Sequence, residues 1–254
     1  MRRRQTASPN PCFILFLFRL PWVLCRQGIF FPVARFYASF RVYCCKKMRN
    51  EKKRKEGFSM TEWEKAKAGL LYNANHDASL LKERAICKDL CFQYNQCRPS
   101  ADGEQRRLLK KLLGEMGDRV VITPPFWCDY GKNIFIGHDF YANHNCIILD
   151  GAPVTFGDFV FIGPNGCFST AGHPLDAGLR DEGLEFAHPI SIGSHVWIGA
   201  NVTVLPGITI GNGAVIGAGS VVIHDIPENV IAAGNPCRVL REITDADRQR
   251  YRRI

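Results

Sequence analysis

The chain has no apolar run long enough to cross a bilayer, no Cys-x-x-Cys pair and, beyond its first quarter, no excess of basic charge. Each absence removes a class of function. A spanning helix needs ~20 consecutive apolar residues. The densest apolar patch, Phe13–Phe18, is followed at once by Arg19, Pro21 and Arg26. The formal charge of +9 sits in the wrong place for a nucleic-acid interface. Residues 1–59 hold 14 Lys/Arg against 2 Asp/Glu, a net of +12, which leaves 19 basic and 22 acidic side chains, a net of −3, for the rest. The body therefore carries no charge argument for nucleic acid or for a membrane surface. Of eleven cysteines, four lie at Cys12, Cys25, Cys44 and Cys45, and seven at Cys87, Cys91, Cys97, Cys128, Cys146, Cys167 and Cys237. These spacings suit neither a disulfide framework nor a structural zinc site. They read as small buried hydrophobes in a reducing compartment, with no metal expected.

The first 59 residues change character abruptly at Met60. A basic start before an apolar patch has the look of a signal peptide, and an Arg-rich, acid-poor stretch that of a transit peptide. No A-x-A-like cleavage site follows the patch. The expectation is that translation starts at Met48 or Met60, with a targeting peptide as the alternative, and residues 1–59 are excluded from the fold.

From Thr61 to about Glu115, Leu70, Leu71, Leu80, Leu81, Leu90 and the pair Leu108–Leu109 recur at helical spacing with charges between. Asp77 is placed to cap one helix running to about Tyr94, and Ser100 or Asp102 the next. Pro99 and Gly103 punctuate the turn.

Beyond Ile134 the pattern has a period of six. Ile192-Gly-Ser-His-Val-Trp, Ile198-Gly-Ala-Asn-Val-Thr, Val204-Leu-Pro-Gly-Ile-Thr, Ile210-Gly-Asn-Gly-Ala-Val and Ile216-Gly-Ala-Gly-Ser-Val follow without a break. Phe156-Gly-Asp-Phe-Val-Phe and Ile162-Gly-Pro-Asn-Gly-Cys keep the register, and Ile136-Gly-His-Asp-Phe-Tyr lies two residues out of phase. Such a period means a chain coiling through short parallel strands, three hexads to a turn, with the first-position aliphatics stacked inside. Gly and Asn are assigned to corners where φ turns positive. The pattern lapses between Cys167 and Pro189, where Thr170-Ala-Gly-His-Pro174 stands, and an extruded loop on a rigid solenoid is a usual seat of function.

The hexads, the T-A-G-H-P loop, the ending Ala232–Arg238 (A-A-G-N-P-C-R), and Ala68-Gly-Leu-Leu-Tyr72 with Lys82-Glu-Arg84 together resemble the maltose and galactoside O-acetyltransferases over about residues 61–245. The resemblance implies an all-β body: a left-handed parallel β-helix of hexapeptide repeats, with a small N-terminal helical subdomain and an extruded active-site loop. The boundaries expected are 60–117 for the helical acceptor-side part, 118–241 for the coil with its loop at 168–190, and 242–254 for a tail. It also implies a homotrimer with active sites between subunits, and transfer of acetyl from acetyl-CoA to a sugar hydroxyl, the 6-hydroxyl of glucose, maltose or a galactoside; the start-site reading of residues 1–59 adds the expectation of a cytoplasmic protein.

Such a transfer needs a base for the hydroxyl proton. His173 matches the family's catalytic position, and a neutral imidazole suits the task near neutral pH. The resemblance pairs it with Glu185, to orient the ring or bind a hydroxyl. It places Asn143, Asp77, Arg84 and Asp150 on the acceptor side. On the donor side it implies Trp197 as an apolar wall, Ala200 and Ala218 as flat ground for pantetheine, and His224, Arg238 and Arg241 near the CoA phosphates. Two departures stand out. Ile223-His224-Asp225 replaces a family Thr-Lys-Asp, and Gly151 replaces a second acid that galactoside-type relatives carry after Asp150.

Three rival readings exist. A γ-type carbonic anhydrase needs a metal-binding histidine set, and His138 and His144, one hexad apart on neighbouring faces, make a poor pair. His188, His195 and His224 read as surface or corner residues. A non-catalytic β-helical scaffold keeps the fold without the chemistry. Acetylation of a serine, an antibiotic or a surface glycan keeps the chemistry with another acceptor.

Overall fold

The computed structural model describes residues 60–250, and upstream two short antiparallel strands, Trp22–Leu24 and Phe30–Pro32. Those strands belong to a separate unit, residues 1–59, and the second unit begins at Met60, where the sequence changes character. The start-site and targeting readings concern residues outside the described ones.

Helix α1 (Glu62–Lys67) opens with a reciprocal capping box between Thr61 and Glu64. Helix α2 (Ala78–Asn95) is capped by Asp77, whose carboxylate accepts from the Leu80 N–H, as its position anticipates. Helix α3 (Asp102–Leu112) corrects an expectation. Its N-cap is Ala101, with no side-chain bond, and Asp102 is instead its first residue, where a negative charge meets the positive end of the helix dipole. The coil then starts at Glu115, three residues ahead of the expected boundary. No helix among the described residues is long and apolar enough to cross a membrane.

The body is a left-handed parallel β-helix of three faces. The first face stacks Glu115–Met116, Ile134–Ile136, Val154–Phe156, Ile190–Ile192 and Thr209–Ile210. The second stacks Val121–Ile122, Tyr141–Ala142, Phe161–Ile162, Trp197–Ile198, Val215–Ile216 and Val230–Ala233. The third stacks Phe126–Cys128, Cys146–Leu149, Cys167–Ser169, Thr203–Val204 and Val221–Val222. Arg238–Glu242 folds back antiparallel on Val230–Ala233, and helix α5 (Asp245–Gln249) follows, so part of the expected tail is structured. First-position residues Ile192, Ile198, Val204, Ile210 and Ile216 are at most 3% exposed. Full burial of each contributes about 1.5–3 kcal/mol. Phe140, Phe156 and Phe168 interlock edge to face in the earlier coils, at centroid spacings of 5.2 and 5.1 Å.

The glycines of the hexads have two causes: at the fourth position Gly207, Gly213 and Gly219 take positive φ, as expected of corners, whereas the second-position glycines do not. None of the second-position glycines Gly157, Gly163, Gly193, Gly199 and Gly211 has a positive φ. A Cβ at Gly163 would lie 2.7 Å from the Ala200 nitrogen of the next coil, and one at Gly199 would lie 2.6 Å from that of Ala218. Glycine is there because successive backbones touch. Positive φ falls at the fourth position, held by Asn145, Asn165 and Asn201 but also by Asp139, Phe159 and His195. Stacking offsets that strain. Phe159 lies parallel on His195 at 5.0 Å, and the amides of Asn145, Asn165 and Asn201 form a hydrogen-bonded ladder at 3.0 and 2.9 Å.

Paired positions also show where the surplus residues go. Thr155, Phe161 and Cys167 pair with Ser191, Trp197 and Thr203, so steps from first to second and second to third face are six residues in both coils. From third face back to first, Thr203 to Thr209 is again six, but Ile147 to Thr155 is eight and Cys167 to Ser191 is 24. The two-residue phase slip and the loop therefore leave by the same edge of the prism. Asp150 fills the widened corner, wholly buried. Its Oδ1 accepts from the N–H groups of Asp129 at 3.0 Å and Tyr130 at 2.8 Å, and its Oδ2 from that of Asn133 at 3.3 Å. Beside it Thr170 Oγ donates to the Leu149 carbonyl at 2.7 Å and accepts from the Ala152 N–H at 3.0 Å.

Burial pushes the Asp150 carboxyl up to about 6, its three N–H donors notwithstanding. The folded protein therefore holds this proton where the unfolded chain has lost it. The stabilisation is complete below the unfolded value near ~3.9 and disappears as pH rises through about 6, a change of order 3 kcal/mol. Thermal melts across pH 4–8 should show a fall in melting temperature over this window in the wild type. The Asp150→Asn variant should lack that component, and an unchanged slope would exclude the assignment.

Candidate active site

The loop is built as a small sheet standing on the widened edge. Ala171–Gly172 pairs antiparallel with Leu184–Ala187, which pairs in turn with Tyr72–Asn73 from the helical region. Between them helix α4 (Ala177–Asp181) is capped by Asp176. The pairing Gly172↔Phe186 requires glycine, because a Cβ there would lie 2.5 Å from the Phe186 ring. This close approach sets His173 and Glu185 opposite one another.

His173 is half exposed, and Glu185 is largely enclosed. The ring Nδ1 lies 3.2 Å from the Leu184 carbonyl, and since a carbonyl only accepts, Nδ1 carries the proton in the neutral ring. Nε2 is thereby left as an acceptor, 3.8 Å from Glu185 Oε1. Both Glu185 oxygens are held by the helical region. Tyr72 donates its hydroxyl to Oε2 at 3.3 Å, and Asn75 Nδ2 lies 3.2 Å from Oε1 and 3.2 Å from the Gly183 carbonyl. Burial and the adjacent Glu185 charge raise the Tyr72 phenol above its ordinary value, so it stays a donor. Neither Tyr72 nor Asn75 was among the expected site residues. They lie 113 and 110 positions from Glu185, so no local pattern relates them to it.

Other candidates divide by their place in the fold. Arg84 donates to the Ala74 carbonyl, and Asp77 spends Oδ1 on the Leu80 N–H at 2.9 Å, so both brace the segment that carries Tyr72 and Asn75. Asp150, expected on the acceptor side, is a correction: its carboxylate is closed inside the corner and committed to backbone N–H groups. Asn143 turns its Oδ1 to the His144 N–H at 2.7 Å, on the edge between second and third faces. Ala200 and Ala218 lie on that same edge, stacked so that the Gly219 N–H reaches the Ala200 carbonyl at 2.8 Å. Trp197 stands out from the second face, 56% exposed. A single chain thus does not bring Asn143, Trp197, Ala200 or Ala218 to His173, which leaves by the edge between third and first faces.

His224 is exposed just after the last strand of the third face. Arg238 lies on the final strand, donating to the Cys237 carbonyl at 3.0 Å. Arg241 forms a bidentate pair with Asp247 of α5, both contacts 2.7 Å, which holds that carboxyl well below its usual range. Gly151 also has a visible consequence. A Cβ at this position would lie 2.9 Å from the Tyr72 hydroxyl, so an acid here would require that hydroxyl, which donates to Glu185, to shift.

Comparison with known proteins places this arrangement. Residues 65–117 match the maltose acetyltransferase hexapeptide capping motif, and residues 189–224 match six bacterial transferase hexapeptide repeats. The chain is 44% identical to the galactoside O-acetyltransferase of Escherichia coli over 193 residues, 76% of this chain and 95% of that one. A structure of galactoside acetyltransferase in complex with coenzyme A superposes with a TM-score of 0.74 at 43% identity, covering 77% of this chain and 97% of the other. The maltose O-acetyltransferase of Clostridium difficile superposes at 0.72 and 45% identity, over 74% and 100%. The chain belongs to the maltose and galactoside O-acetyltransferase family of hexapeptide-repeat proteins.

Proposed function

We propose that the chain transfers acetyl from acetyl-CoA to a sugar hydroxyl, the 6-hydroxyl of glucose, maltose or a galactoside, with His173 as general base. The observation that carries this reading is the 3.2 Å contact between His173 Nδ1 and the Leu184 carbonyl. A carbonyl only accepts, so that contact selects the tautomer with the proton on Nδ1 and leaves Nε2 as the proton acceptor. The acceptor oxygen attacks the thioester carbonyl as Nε2 takes its proton. Collapse of the tetrahedral adduct breaks the carbon–sulfur bond, and the imidazolium returns the proton to the departing thiolate. Glu185, beside Nε2, favours the transient positive charge on the ring. Tyr72 and Asn75 hold that carboxylate in place and are positioning residues.

The division of candidates between two edges of one prism supports a homotrimer with each site at a subunit boundary. There, the loop of one copy faces Asn143, Trp197, Ala200 and Ala218 of the next. Replacement of the galactoside-type second acid by Gly151 beneath Tyr72 favours an acceptor preference different from that of galactosides.

The test is release of free CoA from acetyl-CoA over a panel of sugars. Sugar-dependent release should fall about 10²–10⁴-fold in His173→Ala while CoA binding persists. Retained turnover would remove His173 as base, and CoA binding with no turnover on any sugar would move the acceptor to another hydroxyl compound. Glu185→Gln and Asn75→Ala should lower kcat roughly tenfold with little change in the KM for acetyl-CoA, since about 1.4 kcal/mol of transition-state support is lost. On the donor side, Arg238→Ala should raise the KM for acetyl-CoA by about 10–100-fold, the worth of one charge-assisted hydrogen bond. Arg241→Ala should raise it less, because Asp247 already occupies that guanidinium. Equal effects would place both arginines on the phosphates.

A further inference from the structure

Three thiols that the proposed reaction does not use come together under the helical region. Cys87 and Cys91 lie four residues apart on the buried side of α2, and Cys128 ends the strand Phe126–Cys128 against which that helix packs. The Cys128 sulfur is 3.5 Å from that of Cys87 and 3.7 Å from that of Cys91, and all three sulfurs lie within 4.8 Å of one another. None is in a disulfide. Spacing along the chain hides the cluster, because its third member is 37 residues from the second.

Ordinary packing of small apolar groups accounts for thiols in contact, but the shape of the triangle adds something. With sides of 3.5 and 3.7 Å and a third of at most 4.8 Å, its centre lies about 2.0–2.4 Å from each sulfur. Bonds from thiolate sulfur to a soft centre are about 2.3 Å. An atom of that bond length fits at or just above the sulfur plane with little displacement of the side chains. Three ligands without a fourth among the described residues disfavour a tetrahedral structural zinc. Charge then discriminates among three-coordinate guests. A monovalent copper ion on three thiolates leaves two negative charges in a buried site that already faces the carboxyl groups of Asp150 and Asp129, with Arg84 and Lys88 as the nearby cations. Uncompensated buried charge costs several kcal/mol per ion. A trivalent metalloid on three thiolates leaves none.

We propose that Cys87, Cys91 and Cys128 form a trithiol site for trivalent arsenic or its antimony analogue. Loading is a ligand exchange: As(OH)3 and three R–SH give As(SR)3 and three H2O. Three As–O and three S–H bonds break, three As–S and three O–H bonds form, and arsenic remains trivalent. The product ties α2 to the coil through three covalent bonds.

The probe is arsenite, applied to the reduced full-length chain by long warm incubation and, separately, by refolding in its presence, so that burial of the thiols does not hide the site. Native mass spectrometry should show the wild type carrying one more arsenic than Cys128→Ala, each bound arsenic at this site replacing three hydrogens. The remaining cysteines are common to both proteins and cancel in the difference. The melting temperature should rise on loading in the wild type and in Cys97→Ala, and stay constant in Cys128→Ala. Should Cys128→Ala fail to fold, Cys87→Ser and Cys91→Ser serve in its place. Equal arsenic uptake by wild type and variants, a mass gain of AsOH less two hydrogens per arsenic (two thiols engaged and one hydroxyl kept), or preference for Cu(I) over arsenite at equal concentration would each overturn the proposal.

Discussion

Contact between the backbones of successive coils is the constraint on which the rest of the structure depends. The second-position glycines Gly157, Gly163, Gly193, Gly199 and Gly211 lie so close to the next coil that a Cβ would strike its backbone, as at Gly199 against Ala218. That spacing locks the three parallel ladders in register, and the register stacks the inward aliphatics one above another. A coil held this way has no room for extra residues along its faces. They must leave at a corner, and here all of them leave at one.

The loop that carries His173 inherits its precision from that rule. The two coils beneath it are widened at the same edge, and Asp150 and Thr170 supply the buried acceptors that the looser backbone there requires. The loop is then stiffened as a three-stranded sheet whose outer strand comes from the helical region. His173 and Glu185 are thus fixed from opposite ends of the fold. The Leu184 carbonyl sets the imidazole tautomer, while Tyr72 and Asn75 set the carboxylate. The helical region does more than cover an end of the coil, since it completes the surroundings of Glu185.

Much of this was legible in the residues. The hexads located the coil, its inward positions and the loop, and Asp77 marked its helix start. The phase slip at Ile136 was visible as an anomaly, and its meaning as a widened corner needed the strand pairings. Asp150 was misread because an acid beside a loop looks the same in a sequence whether it points out or in. The hexad glycines were read as a matter of φ, which holds at Gly207, Gly213 and Gly219, whereas steric contact between coils demands the second-position ones. Cys87, Cys91 and Cys128 looked like scattered hydrophobes because only helix packing brings the third to the other two.

Period by itself determined the parallel coil and the place of its loop, because both are written in local spacing that any stretch of chain reveals, and the resemblance of that loop to the family's made His173 a candidate. Tertiary structure alone decided which partners surround that histidine, which acid is buried, and which candidates share an edge. Those outcomes depend on contacts between residues more than 100 positions apart and on the stacking of one coil upon the next, and no window along the chain contains them.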